Sequence, residues 1–179
     1  MASTLKVDTI QTNDGTGTIA LQNQLSGMTT ASLPALGSAQ MPTGSVLQVV
    51  SDTYSTETTT TPTSFTNTGL SATITPTSTS SKILVMGVTS LWCSTANYLR
   101  GGFNRSISGG SDTFLGDATD GLAMTINAAS EGNSITLNYL DSPSTTSITT
   151  YYYQYKCTHS AVAQKSGHMA SMILMEIAG

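Results

Sequence analysis

The side chains best suited to metal or acid–base chemistry are few and widely separated in this 179-residue sequence. The two histidines, His159 and His168, have a separation that fits no common zinc motif. Cys93 and Cys157 form no CxxC pair, and no serine lies in the G-x-S-x-G pattern of a nucleophile elbow. Because catalysis needs convergent groups with tuned pKa values, the sequence predicts a protein that is not an enzyme and uses no cofactor.

Three aspartates lie in a glycine-rich stretch and could supply oxygen ligands to a calcium ion. They are Asp112, Asp117 and Asp120, and their spacing matches no EF-hand loop. A solvated loop is the interpretation that the composition favours, and a bound cation is left open.

A stripe of aromatic residues near the end of the chain is a candidate contact surface. Alternate residues of a strand point to the same side, so Tyr151, Tyr153 and Tyr155 share one face. Together with Trp92 they could stack against a sugar; the alternative is packing in the core of the domain or between subunits. We therefore expect these four residues at a subunit interface or an adhesion surface.

The elements that position these side chains are predicted to be short strands. Ser and Thr account for 25 and 32 residues and charged residues for 9%, so hydroxyl groups must cover the surface, and Thr favours strands. From Gly44 onward, turn residues occur at short intervals. This pattern predicts an all-β, antiparallel β-sandwich or jelly-roll knob over residues 44–179. The expected strands are Ser45–Tyr54, Phe65–Thr75, Lys82–Trp92, Tyr98–Ile107, Gly121–Asn127, Ser134–Leu140, Ser147–Cys157 and Met169–Ile177. The last is nearly apolar on both faces, which predicts a central strand covered on both sides, partly by a neighbouring subunit.

The first 25 residues predict a small β segment that must dock on something else. Two short apolar alternations flank the turn signal Asn13–Gly17, and such a unit is at best marginal alone in water. We expect its apolar residues to form an attachment site: Leu5, Val7, Ile10, Ile19 and Leu21. Residues 26–43 have the Ser, Gly and Pro content of a linker, with a short helix near residues 31–39 as an option.

Charge and hydropathy exclude two classes of partner. The net charge is −4 and no run of Lys and Arg is present, so nucleic acid is not expected. The longest apolar stretches fall far below the ~18 residues of a membrane span, so no membrane insertion is expected. The first ten residues lack a secretory signal, which predicts folding in a cytoplasm. Cys93 and Cys157 are the two cysteines of the sequence, which does not resemble the disulfide framework of a small secreted domain, so we expect two buried free thiols.

Several short motifs resemble structural proteins of tailed bacteriophages, especially marine and cyanobacterial ones. The opening Leu-Lys-Val-Asp-Thr-Ile-Gln with a following Gly-Thr turn is similar to the start of such proteins and covers residues 1–24. The body resembles a tail-fibre or head-fibre domain through the motifs Gly44–Val50, Ser71–Pro76, Ser80–Val85, Leu140–Pro143 and Met175-Glu-Ile177.

This resemblance implies a homotrimeric short fibre that attaches to other virion proteins of the capsid, neck or tail through its N-terminus. Its knob would face outward, with a host receptor or surface glycan as a further partner, and the protein would be assembled in the host cytoplasm and located in the virion. Two alternatives stay open. One is a capsid decoration or cement protein. The other is a glycan-processing enzyme, for which no pair of carboxylates can be assigned, or a lectin-like module, against which the N-terminal attachment segment argues.

Overall fold

The computed structural model describes Gly37 and residues 40–179. The predicted attachment residues lie outside the described residues: Leu5, Val7, Ile10, Ile19 and Leu21. The possible short helix near residues 31–39 and most of the predicted linker also lie outside them, apart from Gly37 and residues 40–43. The described residues form eleven strands: β1 Val46–Tyr54, β2 Thr58–Thr60, β3 Thr66–Ile74, β4 Lys82–Cys93, β5 Asn97–Ile107, β6 Thr113–Leu115, β7 Ala123–Asn127, β8 Glu131–Asp141, β9 Thr149–Lys156, β10 Ala161–Ala163 and β11 Ala170–Ile177.

The strands form two antiparallel sheets packed as a sandwich. The larger sheet has the order β1, β11, β4, β10, β2, and β8 pairs with the other edge of β4. The smaller sheet has the order β3, β9, β5, β6, and β7 also pairs with β5. The predicted all-β sandwich is therefore confirmed.

Strict alternation along the strands creates the core between the sheets. In β4, Ile83, Val85 and Leu91 are buried while their neighbours are partly exposed. Phe103 and Tyr153 of the smaller sheet pack edge to face, with ring centroids 5.5 Å apart. Gly87 makes room for this pair, because a Cβ there would lie 3.1 Å from both rings. The alternation of small and large residues lets the two layers interdigitate.

One buried ionic network joins the two sheets. Arg105 of β5 donates from Nη1 to both carboxylate oxygens of Asp141 of β8, at 2.8 and 2.9 Å. The Tyr151 hydroxyl donates to Asp141 Oδ2 at 2.7 Å. Burial, followed by this hydrogen bond, raises the pKa of Tyr151 above its usual range. The Asp141 carboxylate is thus fully paired across the core, as a buried charge must be.

The two cysteines are buried free thiols, as predicted. Cys93 ends β4 and Cys157 follows β9, so they lie on opposite sheets, and their Sγ atoms are 3.0 Å apart. Burial, and then the hydrogen bond with Cys93, raises the pKa of the Cys157 thiol to about 11. The thiol form therefore dominates at neutral pH.

The terminal strand β11 is internal in the larger sheet, between β1 and β4. Its inward residues Ala170, Met172 and Leu174 are fully buried. Its outward residues are only partly covered by this chain. The central position that the sequence predicts is confirmed, whereas cover of the outward face by a neighbouring subunit stays a prediction. No helix in the described ranges is long and apolar enough to cross a membrane.

Candidate functional site

The outward face of the larger sheet carries a band of apolar side chains that crosses four neighbouring strands. Strand register places Val49 opposite Met175, Met175 opposite Leu84, and Leu84 opposite Leu140. These four residues form one continuous row across β1, β11, β4 and β8, which we call the apolar row. Val49 and Leu140 at its ends are 56% and 53% exposed. Further apolar side chains of this outward face lie beside the row: Val46, Met86, Val88, Ile173 and Ile177.

The outward face of the smaller sheet has a different character. On β9 it carries Thr150, Tyr152, Gln154 and Lys156, and on β3 it carries Thr73, which hydrogen-bonds to Thr150. Polar cover of this kind is normal for a solvated sheet. Toward β7 the same face carries exposed apolar side chains, Tyr98, Met124 and Ile126. Both sheets therefore present apolar surface, and the larger sheet is distinguished by an apolar row that crosses four strands.

An open cleft of about 560 Å³ lies on the same outward face, at the far end of β4. β4 pairs with β11 as far as Val88 and with β10 from Leu91 onward, so the cleft forms where the two partner strands change over. The start of β8 supplies one wall and the connection from β10 to β11 the other. The lining is Val88, Thr89, Ser90, Leu91, Trp92, Ser130, Gly132, Asn133, Ser134, Lys165, Ser166, His168 and Met169.

The wall between β10 and β11 is a short 3₁₀ turn, Lys165–Gly167. Hydrogen bonds to neighbouring strands and loops hold this turn in place. Gln164 before it is buried and left-handed, and its backbone N–H donates to the Ser90 carbonyl at 3.0 Å. With its amide oriented so that both ends are paired, Gln164 accepts from the Thr89 hydroxyl at 2.7 Å and donates to the Thr68 carbonyl at 3.0 Å. Glu57 accepts a bond of 2.8 Å from the Ser166 N–H. These contacts fix the turn relative to β4.

Trp92 and Lys165 meet inside the cleft. The Lys165 ammonium lies 3.6 Å from the centroid of the Trp92 ring, within the range of a cation–π contact. Trp92 is half-buried and faces outward beside Gly132, where a Cβ would come within 3.6 Å of the Trp92 side chain. The Ser90 hydroxyl is shielded from solvent and has no hydrogen-bond partner among the described residues. The cleft therefore combines an aromatic surface with a cation.

The four residues of the predicted aromatic site lie in two different environments. Trp92 lines the cleft, but Tyr151, Tyr153 and Tyr155 are fully buried between the sheets of a single chain. The Tyr153 hydroxyl donates to the Ile135 carbonyl at 2.9 Å, and burial raises the pKa of Tyr155 to about 12. These three tyrosines have no surface left for a subunit interface or adhesion. Their assignment is corrected to core packing, because alternation shows which residues share a face and not what that face contacts.

The three aspartates that were considered as calcium ligands each bind a different partner within the protein. Asp117 accepts from the backbone N–H groups of Thr119 and Asp120, which hold its pKa below the usual range. Asp120 pairs with Arg100 at 2.8 Å, and Asp112 accepts from Asn104. Within the described ranges no group of three potential metal ligands comes together.

The two histidines are also separated. His159 contacts Asn97 and Thr158 in the connection between β9 and β10, whereas His168 follows the 3₁₀ turn and lines the cleft. Sequence reasoning missed the cleft residues Lys165 and Ser90. The segment Gln164-Lys-Ser-Gly167 does carry a turn signal, but its position over Trp92 depends on strand pairing that the sequence does not display.

The sequence matches no known family profile, and a search of curated proteins finds no match. Among solved structures, the infectious bursal disease virus Gx strain aligns with a TM-score of 0.40 and 11% identity, over 82% of this chain and 37% of that chain. The T13 IBDV viral particle gives 0.40 and 11%, over 82% and 40%. The Gt strain of the same virus gives 0.33 and 14%, over 82% and 43%. This chain spans less than half the length of the viral chains that it matches.

Proposed function

We propose that this chain is a non-enzymatic structural subunit of a virus particle, a short homotrimeric fibre whose knobs pack through the outward face of the larger sheet. The observation that carries the proposal is the apolar row Val49, Met175, Leu84 and Leu140. The motifs that resemble fibre proteins of tailed phages support the virion role and the number of three subunits.

The physical argument for assembly is the free-energy cost of leaving the apolar row in water. Burial of apolar surface contributes roughly 25 cal/mol per Å², and large exposed apolar patches on soluble proteins mark interaction sites. A second copy of the chain is the partner that we favour. The row itself contains no charged side chain, with Lys82 only at its margin, so it offers nothing for a charged partner to recognise and matches another apolar face.

The positions of the knob's two ends suit a fibre. Val46 pairs with Ile177, and Ile177 pairs with Lys82, so the start of the knob lies at one end of the larger sheet. The cleft around Trp92 lies ten residues further along β4, roughly 33 Å away at about 3.3 Å per residue. Attachment at one end would leave the cleft at the other.

The test uses two outward residues that are already more than half exposed. In the double variant Val49→Lys and Leu140→Lys, the charges should prevent packing of the row without unfolding a single knob. Light scattering at micromolar concentration should give three chain masses for the wild type and one for this variant. The matched control is Met124→Lys with Ile126→Lys on β7, where the side chains are 55% and 67% exposed on the other sheet. It should remain trimeric.

A wild type that stays monomeric, or a control that dissociates as readily as the row variant, would contradict the trimer. The first result would favour the alternative of a capsid decoration protein. In that case the same outward face would pack against the capsid surface, and particles would bind the wild-type knob but not the row variant.

A further inference from the structure

The surface of the cleft suits one chemical class of ligand. A pyranose ring has an apolar C–H face that packs on aromatic side chains, and hydroxyl groups at its edge that need hydrogen-bonding partners. Trp92 supplies the aromatic surface. Hydroxyl and amide groups lie on both walls, from residues Ser130, Asn133, Ser134 and Ser166.

The charge of the side chains that line the cleft narrows the class of ligand further. The protein has a net charge of −4, yet the ionisable side chains that line the cleft are Lys165 and His168, with no Asp or Glu among them. Lys165 lies directly on the aromatic surface. An anionic group bound beside Trp92 would therefore meet a cation at short range.

The walls are held in backbone conformations that are uncommon for their residue types. Ser130 on one wall has φ 61°, and Gln164 and Ser166 on the other have φ 53° and 58°. Two of the four non-glycine residues with positive φ in the described ranges thus line this cleft, and a third, Gln164, directly precedes the turn that forms one wall. Such conformations persist where surrounding contacts impose them, and they cluster at binding sites. The hydrogen bonds of Gln164 and Ser166 to β4, Thr68 and Glu57 supply those contacts.

We propose that the cleft binds a saccharide unit that carries a carboxylate. The sugar ring packs against Trp92, and the Lys165 ammonium moves from the indole ring to the carboxylate, so a cation–π contact in the free protein is exchanged for an ion pair. This inference stands on the cleft alone and does not depend on trimer formation.

The experiment exploits the fact that Trp92 is the one tryptophan in the sequence. Its fluorescence reports directly on ligand that displaces Lys165 from the ring. Trigalacturonate is titrated against its methyl ester, and sialyllactose against lactose, so that each acidic sugar has a neutral counterpart. The wild type should show a saturable change with at least one acidic sugar and bind its neutral counterpart about tenfold more weakly.

Two lysine variants separate a specific ion pair from general charge attraction. Lys165→Gln should reduce affinity for the acidic sugar about tenfold, to the level of the neutral one. Lys82→Gln is the matched control, because Lys82 is exposed on the same face of β4 at the opposite end, and it should bind like the wild type. Trp92→Phe, followed by calorimetry, should weaken both sugars together. Circular dichroism verifies that each variant is folded.

Three outcomes would overturn the proposal. One is the absence of saturable binding of either acidic sugar up to about 10 mM. The second is equal affinity for an acidic sugar and its neutral counterpart. The third is an equal loss in Lys82→Gln and Lys165→Gln, which would indicate attraction to surface charge only. A monomeric wild type that still binds the acidic sugar through Lys165 would refute the proposed assembly and leave this inference intact.

Discussion

At the scale of single residues, Glu176 shows how one buried carboxylate closes an end of the sandwich. It lies on β11 and is fully buried. Gln48 of β1 donates to Oε2 at 2.6 Å, and the backbone N–H and hydroxyl of Thr77 donate to Oε1 at 2.7 and 2.8 Å. Burial opposes ionisation, but the hydrogen bonds outweigh it and hold the pKa of Glu176 below its usual range. The ionised carboxylate thus links β1, β11 and the connection from β3 to β4.

We predict that Glu176→Gln lowers the free energy of unfolding by about 1–3 kcal/mol at pH 7, because hydrogen bonds to a charged group are lost. Since the folded pKa lies below the unfolded value of about 4.3, this contribution is complete above that value and disappears as pH falls through the folded pKa. Urea unfolding between pH 3 and pH 7 should therefore show the two proteins converging at low pH. Asp52→Asn, an exposed carboxylate on the neighbouring β1, is the control. A difference that does not change with pH would contradict this account.

The same scale shows what the sequence could and could not predict about the site. Trp92 was predicted to lie at a subunit interface or an adhesion surface; the structure places it in the cleft, and its contact with a partner stays a prediction. Tyr151, Tyr153 and Tyr155 were correctly grouped on one face, but nothing in a period of two says whether that face meets the opposite sheet or another molecule. Lys165 was not identified, because its place over Trp92 depends on contacts between residues far apart in the chain.

At the scale of elements, an irregularity in β3 shows how a strand is bent to fit the sandwich. The pairing of β3 with β9 shifts register between Asn67 and Ser71. Inside this bulge, the Thr68 hydroxyl donates to the Tyr153 carbonyl at 3.0 Å and accepts from the Leu70 N–H at 3.2 Å. Gly69 has φ 95°, and a Cβ there would overlap the Tyr54 ring. The bulge therefore requires glycine at position 69, both because φ is positive and because the Tyr54 ring leaves no room for a Cβ.

We predict that Gly69→Ala lowers the free energy of unfolding by about 1–3 kcal/mol, from strain at positive φ together with displacement of Tyr54. Gly44→Ala separates the two causes, since Gly44 has φ 89° but nothing lies within 4 Å of the added Cβ. Thermal unfolding should rank Gly69→Ala as the more destabilised variant. Equal losses would mean that the contact with Tyr54 contributes nothing.

The long strands could be predicted because each has enough residues to display alternation. All eight expected strands are present, and their observed bounds differ from the expected ones by a few residues. The three missed strands, β2, β6 and β10, have three residues each, which is too few for a period of two to be recognised. Strand order was not predicted, because it is decided by long-range pairing. The cleft could not be predicted for the same reason, since it forms where β4 changes partner from β11 to β10.

At the scale of the whole molecule, the proposed attachment through residues 1–24 can be tested independently of the knob. We predict that deletion of these residues leaves a knob with the wild-type circular dichroism spectrum that no longer joins particles. The reason is that, within the part of the chain that the structure describes, the core cluster is built from residues beyond Gly44, whereas Leu5, Val7, Ile10, Ile19 and Leu21 are the proposed attachment residues. Incorporation of the truncated protein into particles at the wild-type level would move the attachment site into the knob.

The two ends of the described domain lie side by side. The resistance of the sandwich to unfolding under an applied force should therefore depend on the direction of that force. Ala178 accepts from the Gly44 N–H and donates to the Ser45 carbonyl, both at 2.8 Å. A force that separates these two ends would peel β1 from β11 one hydrogen bond at a time. A force between Val46 and a ligand held at Trp92 would instead run parallel to the strands and load the ladders of β1, β11 and β4 in shear, so that many bonds must break together. Tension between an attached N-terminus and a captured ligand would thus act along the direction in which the fold resists rupture best.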